Sequence, residues 1–309
     1  MYSDRYESLF ARVKNGERIL IDGATGTECE RRGVPQVMNT WNSGAALSHP
    51  DIVRSIHEDY IDCGAEIIIT NTFSSSRHAM RSAGIEDRFE ALTNAAIHLA
   101  REARENKRKP EVLVAGGITH WIWTEDKPSL EELEANSREQ AVLMAKGECD
   151  LIMLEMLIDI DRLLACIDGA LASDLPVWAG ISLEPKNGAM CLLNGESLED
   201  TLDAIKGKNV PLLNIMHTEV DHIDEALDVV PRRTGAHDFL LRVPAEHADR
   251  LPLALDPALD ADAGLPHRRA PVALVVAAAE AELRTAGVVL PADYPHRRLF
   301  RPRVEFDIV

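Results

Sequence analysis

The stretch Arg18-Ile-Leu-Ile-Asp22-Gly-Ala-Thr25-Gly-Thr-Glu28 runs from three aliphatic residues into an acid and then a string of small, hydroxyl-bearing residues. Ile19 to Ile21 read as a buried parallel strand, and Asp22 through Thr27 as the loop leaving its C-terminal end. α/β proteins carry their chemistry at that end, so this loop is the first candidate site. Gly23 and Gly26 lack the G-x-G-x-x-G spacing of a dinucleotide loop, and no basic residue follows as in a phosphate loop. A plain strand-to-loop turn is the alternative reading of the string.

Outward from it the design repeats: Glu66-Ile-Ile-Ile-Thr-Asn71-Thr72-Phe73-Ser-Ser-Ser76 again sends an apolar strand into a loop of amides and hydroxyls. A helix spanning 50–63 is expected between the two, opened by Pro50 and stopped at Gly64. Further strands are expected near 111–116, 151–155, 176–182 and 211–216, and helices near 87–106, 129–147, 159–173, 196–207 and 220–230. Strand and helix alternate as in a parallel α/β protein, and six βα units are legible. A chain of 309 residues suits one (β/α)8 TIM barrel or two modest domains. The expected fold is a single-domain α/β TIM barrel over 1–309, with its last two βα units left to residues 231–309.

Those last residues differ from the rest. From Pro231 to Val309 there is no Ser, Lys, Asn, Gln, Cys, Met or Trp, and nine of the sixteen prolines fall there. Prolines interrupt any helical or strand period, although a helix near 271–286 is still expected. The segment holds eleven Arg against eleven Asp or Glu, so the whole formal charge of −18 lies in residues 1–230. Acidity of this degree argues against nucleic-acid partners or an anionic membrane surface. No apolar run reaches the length of a membrane span and the N-terminus is too polar for a secretory signal, so a cytoplasmic location is expected. Cys29, Cys63, Cys149, Cys166 and Cys191 stand singly, which argues against a disulfide framework.

Taken together, Asp22-Gly-Ala-Thr-Gly-Thr-Glu28, His49-Pro-Asp-Ile-Val53 with His57 and Tyr60, and Cys63-Gly-Ala-Glu-Ile-Ile-Ile-Thr-Asn-Thr-Phe73 resemble the homocysteine S-methyltransferase family. The resemblance runs from about residue 18 to 230. It implies that Asp22, Gly23, Ala24 and Thr25 lie against the amino-acid part of homocysteine, where a carboxylate and backbone amides suit a zwitterion. It also implies that Glu155, ending Leu151-Ile-Met-Leu-Glu155, meets the substrate ammonium; a helix cap or buried ion pair is the alternative. Asn71, Thr72 and Asn214 are read as polar lining or as ordinary turn residues. The loop Gly117-Ile-Thr-His-Trp-Ile-Trp-Thr124 departs from the family's Gly-Pro pattern, and Trp121 and Trp123 are candidates for packing around a methyl-bearing cation or for simple lid packing. His120 is a candidate proton carrier.

The family uses zinc held by cysteine thiolates, and a cation beside a thiol favours the nucleophilic thiolate. Here Ile215 stands where the first such cysteine is expected, and the paired cysteines near the C-terminus are missing. His217, two residues along, is a weak metal candidate or a strand-end histidine with a local hydrogen bond. Read one base early, Thr285-Ala-Gly-Val-Val289 is compatible with Gly-Gly-Cys-Cys, the zinc-binding string the family carries near its end. Residues 231–309 are therefore read as either a divergent terminus or an out-of-frame segment. The resemblance implies methyl transfer to the thiol of homocysteine, giving methionine, with a small amino-acid thiol and a methyl donor as partners. The missing thiolates keep open an inactive homologue that at most binds a small amino acid. Donor and oligomeric state are not readable.

Overall fold

A computed structural model describes residues 2–15, 17–36, 40–121, 127–234 and 239–240. In chain order it contains α1 (Asp4–Lys14), α2 (Thr25–Arg31), α3 (Ala45–Ser48), α4 (Pro50–Asp62), β1 (Ile67–Ile69), α5 (Arg77–Ser82), α6 (Phe89–Asn106), β2 (Leu113–Ile118), α7 (Leu130–Lys146), β3 (Leu151–Leu157) and α8 (Ile160–Ala170). There follow β4 (Val177–Ile181), β5 (Leu183–Lys186), β6 (Ala189–Leu192), α9 (Leu198–Ile205), β7 (Leu212–Ile215), α10 (Ile223–Thr234) and β8 (Phe239–Leu240). Local chemistry starts the helices. Ser129, Asp159 and Ser197 each accept a hydrogen bond from the backbone N–H three residues on, satisfying a donor that the first helical turn leaves free.

One sheet of order β1-β2-β3-β4-β7-β8, parallel throughout, organises the described residues. Its register and the two-residue alternation of strands put Ile67 and Ile69, Ala115 and Gly117, Met153 and Glu155, Trp178 and Gly180, and Leu212 and Asn214 on one face. The opposite face meets the helices. At Gly116 an added Cβ would overlap Met144 of α7, so glycine there lets helix and strand approach closely.

Helix α1 marks the end of the sheet remote from the expected site. Tyr6, Leu9, Phe10 and Val13 fall at helical spacing and are buried. Tyr6 stacks on Phe10, and its hydroxyl accepts from Trp178 Nε1 at 3.1 Å. Ser3, the α1 cap, donates to Asp150 Oδ1 at 3.0 Å, just before β3 begins. Arg104 of α6 also reaches Asp150, at 3.1 Å, and both side chains are nearly sealed from water.

Five of the six expected strands are present near their expected places. The first is reduced: Ile21 makes a single parallel bridge to Ile67, flanked by Asp22 N–H to Ile67 O and Glu66 N–H to Leu20 O. It ends early because the Asp22 carboxylate, not a backbone carbonyl, takes the next N–H, that of Ile69, at 2.8 Å. The loop expected through Thr27 also ends early, since Thr25 begins α2, which buries Cys29 and carries Glu28 in its first turn. Four helices and a hairpin were not expected: α1, α2, α3, α5 and the antiparallel pair β5 and β6. The hairpin turns at Asn187 and Gly188, both at positive φ (53° and 81°). Asn-Gly is the usual pair for a tight two-residue turn of this kind.

At the C-terminal side, α10 continues through Pro231, and β8 pairs in parallel with β7 through Leu212 to Phe239 and Leu213 to Leu240. A first strand of the 231–309 segment thus joins the sheet. The helix expected near 271–286 and the rest of that segment lie outside the described residues, as does Trp123. Among the described residues no helix is long and apolar enough to cross a membrane.

Candidate active site at the strand ends

The candidate residues gather at the C-terminal ends of the first strands, on the face shared by Ile69, Gly117 and Met153. Asp22 is buried and holds Ile69 N–H, so one carboxylate oxygen joins the first loop to β1. Gly23, Ala24 and Thr25 follow it half-buried. Asn42 links this loop to the next: its Nδ2 donates to Gly26 O at 2.8 Å, and its own carbonyl accepts from Asn71 Nδ2 at 2.9 Å. Gly26 is required here, since a Cβ would run into the Trp41 indole at 2.7 Å.

Beyond β1, Thr70 and Thr72 turn inward. Thr72 Oγ1 donates to Gly117 O at 2.7 Å, Gly117 N–H donates to Thr70 Oγ1 at 3.2 Å, and the two hydroxyls are 2.7 Å apart. Glu155 lies against the same glycine. A Cβ on residue 117 would overlap Glu155 Oε1 and stand 3.0 Å from Ile69 Cγ2. Oε1 is enclosed without a hydrogen-bond partner, and burial alone pushes the Glu155 carboxyl up to about 8. The group is therefore mostly a neutral acid near pH 7, awaiting a donor or a cation. Asn214, fully buried on β7, donates from Nδ2 to Met153 Sδ at 2.9 Å, while its Oδ1 has no partner.

Asp22 is thus tied to Ile69, Thr72 and Glu155 to Gly117, and Asn214 to Met153, two residues before Glu155. Asn71 points instead to the Asn42 loop. His217 is exposed, at φ 48°, and its ring stacks on Phe73 with centroids 5.9 Å apart. His120 is not placed as a proton carrier: its Nε2 accepts from Ile158 N–H at 3.2 Å, and burial pushes it down to about 3. Trp121 is half-buried at the edge of the third loop. Sequence reasoning missed Asn42, Thr70 and Gly117. The signal for the last was present, because a Gly-Gly pair inside a strand marks close approach by a neighbour.

The donor set does not fit a zinc site among the described residues. No three His, Cys, Asp or Glu side chains gather there as a metal group. Ile215 is wholly buried and apolar, and Cys29, Cys149, Cys166 and Cys191 are buried as free thiols elsewhere, with Cys63 half-buried.

A parallel α/β sheet with an acid-bearing polar cluster at its strand ends defines the class of protein. The chain belongs to the homocysteine S-methyltransferase family, whose model matches residues 19–270. That match continues forty residues past the point where the sequence resemblance was expected to stop. An S-methylmethionine–homocysteine S-methyltransferase of Pongo abelii is 27% identical over 191 residues, covering 61% of this chain and 49% of the relative. A homocysteine S-methyltransferase of Escherichia coli (strain K12) is 31% identical over 116 residues, 36% of this chain and 37% of the relative. The alignments span about half the length, or less, of most of the curated relatives the chain matches. In fold it is similar to the metallated form of the Escherichia coli homocysteine methyltransferase MmuM, with TM-score 0.68 and 23% identity over 81% of this chain and 91% of that one.

Proposed function

We propose that the chain is a single (β/α)8 barrel that binds homocysteine at Asp22, Gly23, Ala24, Thr25, Thr72, Glu155 and Asn214 and methylates its thiol. The observation carrying this reading is the enclosed, partnerless Oε1 of Glu155 against Gly117, in a chain of this family. An ammonium ion placed at Oε1 supplies the missing donor and the missing charge together. The Asn214 Oδ1 supplies a second vacant acceptor. In the reaction the substrate thiol gives its proton to solvent, its sulfur forms a bond to the methyl carbon, and the bond from that methyl to a positively charged sulfur or nitrogen breaks with its electron pair kept on the donor atom, which becomes neutral as methionine is formed. The protein's part is to hold sulfur and methyl carbon in line and to exclude water. Betaine and S-methylmethionine, which appear in the relatives' names, are the donors to try first.

One observation favours a second reading, an inactive homologue that only binds the amino acid: Ile215 and the lack of a metal group among the described residues. Calorimetric titration of the full chain with L-homocysteine, followed by methionine assay with each donor and measurement of bound zinc, separates the two. Binding with methionine formation is expected. Binding without turnover selects the second reading, and absence of binding overturns both.

A further inference from the structure

The peptide of Gly117 is held in an unusual way for a strand residue. Its N–H and its C=O are both engaged by side-chain hydroxyls, Thr70 Oγ1 at 3.2 Å and Thr72 Oγ1 at 2.7 Å. The two hydroxyls touch each other at 2.7 Å, so together they form one clamp. All of these groups are buried, where a hydrogen bond is stronger and its loss more costly than at the surface. On the sheet face that Gly117 shares with Ile69 and Glu155, the space a side chain would take is occupied by Glu155 Oε1, with Ile69 Cγ2 beside it. No hydrogen bond fastens Oε1. Its position is set by shape alone.

We infer that Gly117, clamped by Thr70 and Thr72, is a positioning residue that seats the Glu155 carboxyl at the strand ends. The inference rests on the homocysteine reading only for the ligand that the seat serves. A methyl group at residue 117 has a cheap escape, because the atom it strikes is the free end of a flexible side chain. Gly117→Ala therefore leaves the sheet intact and displaces the carboxyl. Thr72→Val acts from the other side by removing one jaw of the clamp while keeping the side-chain shape, and Thr72→Ser restores the hydroxyl.

The test follows the Glu155 carboxyl by carbon-13 NMR in the full chain labelled at glutamate, with the signal assigned through Glu155→Gln, and measures L-homocysteine affinity by calorimetry on the same samples. The wild-type signal is expected to titrate well above the ordinary carboxylate range. Gly117→Ala and Thr72→Val should bring its midpoint down toward that range, and Gly117→Ala should also weaken homocysteine at least tenfold, whereas Thr72→Ser keeps the wild-type midpoint. An unchanged midpoint in both Gly117→Ala and Thr72→Val overturns the inference. If Gly117→Ala fails to fold, the Thr72 pair decides. Lack of homocysteine binding by the wild type counts against the proposed function, while the titration still reads the seat.

Discussion

The ring of Phe73, four residues past β1, stacks on the ring of His217, two residues past β7, with centroids 5.9 Å apart and planes 29° from parallel. Three strands separate β1 from β7 in the sheet. At about 4.8 Å per strand, a flat sheet would keep their ends roughly 19 Å apart. Strand twist and curvature bring the two loops together over the candidate site. A double-mutant cycle of Phe73→Ala and His217→Ala in urea unfolding should give a coupling of about 0.5 to 1 kcal/mol. Strict additivity would mean that the stack contributes nothing.

Glu155 makes stability fall as the solution becomes more alkaline. Its folded value of about 8 lies above the ordinary 4.5, so the folded protein holds the proton more tightly than the unfolded chain. The stabilising contribution is present below 4.5 and is lost as pH rises through 8. Glu155→Gln cannot ionise and should melt higher than wild type at pH 8.5, by a margin that shrinks toward pH 5. Calorimetric melting at the two pH values measures this; an equal margin at both removes the assignment.

Three buried histidines act in the opposite direction. His57 has neither ring nitrogen partnered, His78 is held by Ser76 Oγ at 3.1 Å and Asn136 Nδ2 at 3.3 Å, and His120 accepts from Ile158 N–H. Burial pushes them down to about 4, 4 and 3 respectively from the ordinary 6.5. The unfolded chain takes up these protons first, so stability is lost as pH falls from 6.5 toward 4. His57→Leu should flatten that slope in a melting series from pH 7 to 4.5. A series in which variant and wild type fall in parallel would exclude His57 as a cause.

Asp150 gathers Arg104, Ser3 Oγ and the Val114 N–H in a nearly dry setting. Removing it leaves the buried Arg104 charge without a counter-ion, held only by the Val112 carbonyl at 3.3 Å, and breaking a buried pair in this way typically costs about 3 to 5 kcal/mol. Asp150→Ala should lose stability of that order in urea unfolding. Adding Arg104→Met should recover part of it, because the stranded charge is then gone. A loss under about 1 kcal/mol would mean that water reaches the site.

Five strands and the helices α4 and α6 to α10 were readable because an aliphatic run or an amphipathic period is a local property, and each found its place to within a few residues; α1 went unread despite its apolar spacing, and the first strand remains only as a bridge. Asp22, Thr72 and Glu155 were also readable as strand-end polar residues. The short helices α2, α3 and α5 were not, since four to seven residues give too little period to register. The clamp on Gly117 escaped for another reason: Thr70 lies 47 positions from Gly117, and nothing in the string reports which hydroxyl meets which peptide.

By itself the sequence determined the alternation of strand and helix, the acidic first 230 residues and the family to which the chain belongs. Only the tertiary structure decided that Glu155 stands partnerless against Gly117, that His120 is a fixed acceptor, and that Phe73 reaches His217. Burial and partnership are properties of neighbours distant along the chain, and the charge state of a carboxyl follows from what surrounds it in space.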